Sequence, residues 1–377
     1  MHKSGIPIGK IFGIKVNLHT SWFIIFFLIT WTLAAIYFPA SFEHWSQAMT
    51  IGAGVLTSLL YFGSILIHEL SHSLVAIRKG IPIKSITLFF LGGASEMGEE
   101  PKNARDELLM SAAGPLSSLL LGIIFLGLHF IFHGQPYLAY EFISGTSLYL
   151  GFINLFIGVF NLIPAFPLDG GRVLRSLIWW RTKDMQKATK TAARIGQGLG
   201  NVFIVVGIFL AFTGNVFNGI WLAMIGWFLT NAAINSYSQL VIQDMLKDHV
   251  ALEIMTQDCA AVPAAIPLDT FVNDILLNSG RRCFPVVSDS KAEGMISLAD
   301  VKAIDRSEWS TMPVRQAMTP LSEIKSVSPQ TDLNTVLKLI VENDVNQIPV
   351  IEDGEIIGMI ARENLLNFIN IRAQLQS

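Results

Sequence analysis

The chain has 377 residues, of which 51% are hydrophobic and 15% are charged, and its mean hydropathy is +0.50. Soluble globular proteins are nearer one quarter charged, so this composition argues against an ordinary soluble protein, and it also excludes a disordered chain. Two cysteines are too few for a disulfide-stapled secreted domain. Residues 1–245 hold 15 Lys and Arg against 11 Asp and Glu, whereas residues 246–377 hold 11 against 18. This division predicts a membrane domain of net charge +4 followed by a soluble domain of net charge −7.

Six apolar segments of the first domain are predicted to span a bilayer, which takes about 20 residues. The fifth segment is short and glycines blur its start, so five spans is the alternative count. Two further stretches, residues 6–18 and 81–90, are too short to span and carry residues typical of strands. The predicted fold class is therefore a polytopic α-helical membrane protein with about six spans and short membrane-embedded β segments. The predicted spans are residues 21–40, 50–77, 108–132, 147–167, 198–213 and 219–242.

Basic residues alternate between the predicted loops. The loops 41–49, 133–146 and 214–218 contain neither Lys nor Arg. Because positive loops remain cytoplasmic, this alternation predicts an even number of spans with both termini in the cytoplasm. The alternative, a very apolar soluble bundle, gives no reason for the pattern. The loop after the fourth span holds the most basic residues, namely Arg172, Arg175, Arg181, Lys183, Lys187, Lys190 and Arg194.

The second span contains a His-Glu-x-x-His pattern, in which His68 and His72 flank Glu69. Residues four apart lie on one face of a helix, so the two imidazoles can bind a single zinc ion. Glu69 lies beside them and can accept a proton from water. Ionisable residues inside a membrane span are costly and point to function by default. The alternative is a polar cluster that holds helices together.

A hydrolytic zinc site needs a third protein ligand, which must come from another span. Asp169 is the one acidic residue between Glu141 and Asp184, and it follows a helix interrupted by Pro164 and Pro167. It becomes the candidate third ligand if the fourth span bends back or unwinds through the prolines. The alternative is that Asp169 caps a helix near the membrane interface.

Taken together, the His-Glu-Leu-Ser-His motif and the later stretch from Asn161 to Arg172 resemble the site-2 protease family of intramembrane zinc metalloproteases. The second stretch reads Asn-Leu-Ile-Pro-Ala-Phe-Pro-Leu-Asp-Gly-Gly-Arg. Supporting stretches are Phe90-Leu-Gly-Gly-Ala-Ser95 and Ala112-Ala-Gly-Pro-Leu116. The resemblance covers about residues 5–240.

The resemblance implies roles for particular residues. It implies one Zn²⁺ per chain and Glu69 as the general base, with Asn161 holding the substrate backbone or the developing oxyanion. The segment 81–98, with Gly92 and Gly93, would meet the substrate. The implied metal ligands are His68, His72 and Asp169.

The same resemblance implies a partner and a location. Its substrates are single-span membrane proteins, such as an anti-sigma factor, a membrane-tethered transcription factor or a leftover signal peptide. The expected location is the cell membrane of a prokaryote. No stretch resembles a PDZ insertion, which places the chain with the family branch that carries its extra domain at the C-terminus.

The soluble domain contains an internal repeat. Phe284-Pro-Val-Val returns as Ile348-Pro-Val-Ile, and Gly294-Met-Ile returns as Gly358-Met-Ile, each after 64 residues. Each unit reads as helix, strand, strand, helix, and the two copies are expected to pack together. The pattern resembles a soluble α/β tandem of cystathionine-β-synthase (CBS) domains, a cytoplasmic regulatory module. The predicted repeats are residues 250–306 and 313–372.

The CBS resemblance implies a ligand of the adenine nucleotide class, ATP, ADP or AMP. In that family a Ser or Thr, and an Asp three residues later, meet phosphate and ribose. The first copy has Ser297 and Asp300, whereas the second has Ala361 and Asn364, so one site is expected rather than two. The alternative is a purely structural dimerisation module, and the resemblance also suggests a homodimer. The acidic balance argues against nucleic-acid binding.

The leading hypothesis is an intramembrane zinc endopeptidase regulated by its CBS tail. A second class is a CBS-regulated ion transporter or channel, with His68, Glu69 and His72 as an ion path. The Asn161…Asp169-Gly170 element favours the hydrolase, because an ion path does not need it. A third class, an inactive scaffold, is disfavoured because every expected catalytic position is filled.

Overall fold

The molecule consists of two compact units, Met1–Ser238 and Gln239–Ser377. The division falls inside the last apolar helix, whereas the boundary expected from the sequence, 245/246, falls at the end of that helix. The computed structural model describes residues 5–90, 92–98, 100–257, 260–279, 281, 283–288 and 291–375.

The first unit is dominated by helices. Among the described residues, six helices are long and apolar enough to cross a membrane, which confirms the predicted number. The first includes a π-helical turn at Leu33–Tyr37. The six are α1 (Thr20–Ser41), α2 (Gln47–Arg78), α3 (Ala104–Phe132), α4 (Leu138–Asn161), α6 (Met185–Phe212) and α7 (Val216–Leu246), and the shorter α5 (Asp169–Thr182) lies between α4 and α6.

The bounds of the fourth and fifth spans were predicted wrongly. Helix α4 begins nine residues earlier than predicted. It ends at Asn161 because the segment 162–168, which contains Pro164 and Pro167, is not helical. Helix α6 begins 13 residues earlier than predicted. The glycines near residue 198 lie inside this helix and do not mark its start. Gly196 packs against the backbone of Phe166, which a larger residue would crowd.

Helices α6 and α7 pack closely through glycines. A Cβ added at Gly207 would lie 2.6 Å from the backbone nitrogen of Ala223, and one added at Gly226 would lie 2.8 Å from that of Ile204. Small residues at such positions let the backbones of membrane helices approach each other. The glycines therefore set the distance between these two helices.

Four strands form one sheet beside the helices, in the order β1-β2-β3-β4. Strands β2 and β3 pair in parallel, and the other two pairs are antiparallel. Both strand stretches expected from the sequence are confirmed. No other strand among the described residues pairs with β4, so its outer edge is open. The strands are β1 (Gly5–Ile11), β2 (Ile14–His19), β3 (Ile83–Phe89) and β4 (Gly92–Met97).

The second unit contains two copies of the predicted helix–strand–strand–helix unit. The first copy has β5, β6 and β7, and β8 of the second copy extends their sheet; the second copy also has the pair β9-β10. Each copy has its own apolar core, centred on Phe271 and Phe284 in the first and on Ile348 and Ile360 in the second. The strands are β5 (Val262–Pro263), β6 (Cys283–Ser288), β7 (Lys291–Ser297), β8 (Thr319–Pro320), β9 (Gln347–Glu352) and β10 (Glu355–Ala361). The helices are α8 (Ala251–Ile254), α9 (Leu268–Thr270), α10 (Leu277–Ser279), α11 (Leu298–Lys302), α12 (Val314–Ala317), α13 (Leu333–Glu342) and α14 (Arg362–Leu375), with a π-helical turn at Phe271–Leu276 and 3₁₀ turns at Arg306–Glu308 and Leu321–Glu323.

Each copy contributes a short segment that pairs with a strand of the other copy. Thr256 pairs with Met359 of the second copy, and Thr319 pairs with Met295 of the first. The repeated glycine makes room, because a Cβ at Gly358 would lie 2.7 Å from the sulfur of Met255. The Met-Thr pairs at residues 255–256 and 318–319 therefore pack reciprocally against the repeated Gly-Met-Ile strands.

Candidate metal centre

Three side chains from distant parts of the chain meet beside the middle of α3. The Nε2 atoms of His68 and His72 lie 3.2 Å apart, and the Oδ2 atom of Asp169 lies 3.1 Å from the first and 3.2 Å from the second. These three form the only group of His, Cys, Asp and Glu side chains within the described ranges whose ligand atoms converge as a metal site requires. His68 is buried, and the other two are half-buried.

The hydrogen bonds of the two imidazoles orient their Nε2 atoms as ligands. Nδ1 of His72 lies 2.6 Å from the carbonyl oxygen of Met110, which can only accept, so Nδ1 carries the proton. In the neutral ring Nε2 then presents a lone pair. Nδ1 of His68 lies 2.9 Å from the hydroxyl of Ser118, a partner of the kind that fixes a metal-binding tautomer.

The arrangement fits a zinc ion. Two imidazole lone pairs and a carboxylate oxygen at one point repel one another unless a cation lies between them. Ligands about 2.1 Å from a tetrahedral zinc are about 3.4 Å apart, close to the observed 3.1–3.2 Å. Three protein ligands with a position left open is the pattern of hydrolytic rather than structural zinc sites.

One face of α3 is the platform for this cluster. Met110, Gly114 and Ser118 recur every four residues and therefore lie on that face. Gly114 packs directly against both imidazoles, since a Cβ there would overlap their Nε2 atoms. The sequence stretch Ala112–Leu116 was noted as part of the family resemblance, but its packing role was not predicted.

Asp169 reaches the cluster because the chain turns sharply before α5. The segment 162–168 folds back over the first turn of that helix and includes the cis peptide bond between Phe166 and Pro167. A Cβ at Gly170 or Gly171 would overlap the backbone of this segment. The Asp-Gly-Gly sequence thus places a carboxylate at the first residue of α5 and lets the preceding chain pack against it.

A buried ion pair joins α3 to α5 about two turns from Gly114 and from Asp169. Nε of Arg175 donates to Oε1 of Glu107 at 2.7 Å, and its Nη2 contacts the same oxygen. Glu107 is fully buried and Arg175 is 6% exposed, while Nε of Arg172 lies 3.7 Å from the same carboxylate. The sequence placed Arg175 in a basic loop. That interpretation is corrected here, because the arginine belongs to α5 and pairs with an acid 68 residues away.

Glu69 lies between the two histidine ligands in sequence and against strand β4. A Cβ at Gly93 would lie 2.5 Å from Cγ of Glu69, so the strand backbone and the carboxylate side chain are in contact. The side chain of Ser95 also interacts with this carboxylate. The cluster and the open edge of β4 therefore belong to one site.

Gly92, Gly93 and Asn161 are the other residues that were expected to meet a substrate. Gly92 and Gly93 begin β4, and Gly92 has a φ of +138°, which favours glycine. Asn161 is the last residue of α4 and is half-buried. Its side chain has no hydrogen-bond partner among the described residues. Leu91 lies outside those residues.

A cavity of about 620 Å³ lies between the two copies of the repeat. Ser297 and Asp300 line it together, and Oδ2 of Asp300 accepts hydrogen bonds from the backbone nitrogen and the hydroxyl of Ser297 at 2.7 and 2.6 Å. Thr319 donates to Oδ1 of the same carboxylate. In the second copy Asn364 accepts from the backbone nitrogen of Ala361 at 2.7 Å, without a hydroxyl.

Known protein families match both the membrane domain and the soluble domain of the chain. The family model of peptidase family M50 matches residues 56–147 and 136–206, and that of the CBS domain matches residues 250–306 and 314–371. A Synechocystis protein with a zinc metalloprotease name is 30% identical over 374 residues, 98% of this chain and 97% of the relative. A zinc metalloprotease of Methanocaldococcus jannaschii is 30% identical over 97% of this chain and 96% of its own. The solved site-2 protease of that archaeon is 33% identical over 62% of this chain and 95% of its own, with a TM-score of 0.40.

The chain belongs to peptidase family M50, the site-2 proteases. Within that family it is a zinc metalloprotease that carries a tandem pair of CBS domains, as its sequence predicted. Its six apolar helices fit a multi-pass membrane protein.

Proposed function

We propose that the chain is an intramembrane zinc endopeptidase that cleaves a transmembrane segment of single-span membrane proteins. The convergence of His68, His72 and Asp169 beside Glu69 is the observation that carries this proposal. The three side chains hold the zinc ion. When bound, zinc supplies a Lewis acid that polarises the scissile carbonyl and makes water a nucleophile near neutral pH.

Glu69 acts as the general base. Its carboxylate follows the first ligand directly in the sequence and contacts β4, where a substrate backbone would lie. It accepts the proton of the attacking water and delivers that proton to the leaving amide nitrogen. Asn161 donates its side-chain amide to the substrate backbone or the developing oxyanion, a role supported by its lack of another partner among the described residues.

The open edge of β4 binds the unwound substrate. A helical peptide bond is shielded because its carbonyl already accepts a hydrogen bond from the amide four residues later. Once unwound, the freed backbone groups need partners, and an edge strand supplies them. Because Gly93 has no side chain, Glu69 packs directly on a face of β4, close to a substrate backbone that pairs with the edge of this strand.

Substitution of the base and of the third ligand tests the proposal. We expect Glu69→Gln to abolish cleavage of a single-span substrate while the purified protein keeps about one zinc per chain. Asp169→Ala should lose both the zinc and the activity, because two ligands remain. Zinc content by mass spectrometry and cleavage on gels are the measurements. An active Glu69→Gln variant would overturn the assignment of the base, and an Asp169→Ala variant with full zinc would overturn that of the ligand.

We further propose that the CBS module binds one adenine nucleotide between its two copies and regulates cleavage. Support comes from the cavity that Ser297 and Asp300 line together. Pairing of CBS tandems between two chains would make the enzyme a homodimer. The positive loops argue for cytoplasmic termini, so the module would meet the nucleotide pool of a prokaryotic cytoplasm.

A further inference from the structure

A separate cavity of about 270 Å³ lies where the start of α3 meets the end of α5. It is ten residues, or about 15 Å along α3, from the glycine that contacts the metal ligands. Its ionisable lining residues are all basic, and the other large side chains are indoles. The lining includes Lys102, Arg105, Trp179, Trp180 and Lys183.

The acidic side chains nearby are already engaged. Asp106 pairs with Lys79 at 2.9 Å and accepts from the side chain of Asn103 at 2.7 Å. Asp184 caps α6 by accepting from the backbone nitrogen of Lys187. By contrast, neither Arg105 nor Lys183 forms an ion pair with any described residue. Asp106 acts electrostatically on Arg105 as well as on Lys79, so two cations share one carboxylate and the cavity keeps an excess of positive charge.

The unused side-chain groups in the cavity are donors. The indole N–H groups of Trp179 and Trp180 have no acceptor among the described residues, and guanidinium and ammonium groups only donate. Such a lining selects a ligand that is anionic and only accepts hydrogen bonds. A phosphate group meets both requirements, and arginine binds it through two parallel hydrogen bonds.

The position of the cavity selects the source of that phosphate. Helix α3 has 29 residues and is about 43 Å long, whereas the hydrocarbon core of a bilayer is about 30 Å thick. Its first turns therefore reach the headgroup layer, where tryptophan and basic residues concentrate in membrane proteins. Trp180 is 66% exposed, which suits contact with lipid better than contact with water.

We infer that this cavity binds the headgroup phosphate of an anionic phospholipid. Arg105 holds the phosphate from α3 and Lys183 holds it from the end of α5, while Trp179 and Trp180 donate to the ester oxygens and cover the upper acyl chains. The lipid thereby joins the same two helices that Glu107 and Arg175 join deeper in the fold. Anionic lipid should accordingly stabilise the first unit.

Lipid titration of the purified full chain tests the inference without any cleavage assay. The protein, in nanodiscs of phosphatidylcholine, receives increasing fractions of phosphatidylglycerol, and bound lipid is counted by native mass spectrometry while the Tm is recorded. We expect phosphatidylglycerol to bind at least tenfold more tightly than phosphatidylcholine and to raise the Tm. The double variant Arg105→Gln/Lys183→Gln should lose at least fivefold of that preference.

Two controls make the result decisive. The variant Lys187→Gln/Lys190→Gln removes the same charge from exposed positions outside the cavity and should keep the preference. An equal loss in both variants would reduce the effect to diffuse electrostatics and overturn the site. Trp179→Phe/Trp180→Phe keeps the rings but removes both N–H donors, so it should also weaken binding. Failure of both cavity variants to change the preference, or equally tight binding of free glycerol 3-phosphate, would overturn the assignment to lipid.

Discussion

At the scale of single residues, the partners of the two imidazoles are as informative as the ligands themselves. His72 is oriented by a backbone carbonyl, which mutation cannot remove, whereas His68 is oriented by the hydroxyl of Ser118. We expect Ser118→Ala to weaken zinc binding about 10- to 100-fold, the usual effect of losing such a partner. Zinc retention during titration with a chelator measures it. Ser117→Ala is the matched control, because that hydroxyl donates to the backbone oxygen of Gly114 instead of an imidazole. Equal retention in the two variants would contradict the role of Ser118.

The thiol of Cys283, which lines the cavity between the CBS repeats, offers a second test at the scale of single residues. Burial, and secondarily the negative charge of Asp300, raises the pKa of its thiol to about 12. Since the thiolate is the reactive form, alkylation at pH 8 should be more than tenfold slower than that of a small thiol. The rate should still rise between pH 9 and pH 10, because the group titrates above that range. The experiment uses Cys259→Ser protein, so that only Cys283 reacts. A rate that levels off near pH 9 would contradict the raised pKa, and urea-unfolded protein gives the reference rate.

At the scale of elements, the ion pair between α3 and α5 holds the helix that carries Asp169. Removing one partner of a buried ion pair costs about 3–5 kcal/mol, and here the loss falls at the low end of that range because Arg172 stays 3.7 Å from the Glu107 carboxylate. We therefore expect Arg175→Met to lower the free energy of unfolding by that amount, and Glu107→Leu/Arg175→Met to regain most of it, since an apolar pair of similar size is tolerated. Arg181→Met, at an exposed position of the same helix, is the control. Thermal unfolding in detergent measures the effect, and a double variant no better than Arg175→Met would contradict the pairing.

Particular elements show which features of the fold and the site could be predicted from the sequence and which could not. The histidine pair was predictable because the spacing of four places both rings on one face of α2 whatever the rest of the chain does. Strands β1 to β3 were visible in their β-branched and aromatic residues, whereas β4 contains none and was expected only from the family resemblance. The pair of Glu107 and Arg175 was not predictable, because it joins positions 68 residues apart and a buried arginine looks like a loop arginine in sequence. The end of α4 was misplaced although Pro164 and Pro167 were expected to interrupt the span, because hydropathy alone does not mark the residue at which a helix ends.

At the scale of the whole molecule, one helix is shared between membrane span and CBS module. Helix α7 runs without a break from Val216 to Leu246, and its last residues belong to the second unit. There Leu246 is fully buried in the core of the second repeat, with Ile242 packed against it. Any rearrangement of that core would therefore act on a helix that is also the sixth apolar span.

Nucleotide should consequently change the rate of substrate cleavage. We expect AMP or ATP at a saturating concentration to change the rate of the purified full chain at least twofold, and Asp300→Asn to bring the ratio of rates with and without nucleotide close to one. The reason is that Asp300 lines the cavity and holds Ser297, so its loss removes charge and geometry together. Asn364→Asp, the equivalent position of the second copy, keeps a cap on the backbone nitrogen of Ala361 and should keep the response. A response that survives in Asp300→Asn would move the nucleotide to another site. Absence of any response in a protein that binds nucleotide would instead leave the module as a dimerisation element, because binding energy alone changes a rate only when it differs between two states of the enzyme.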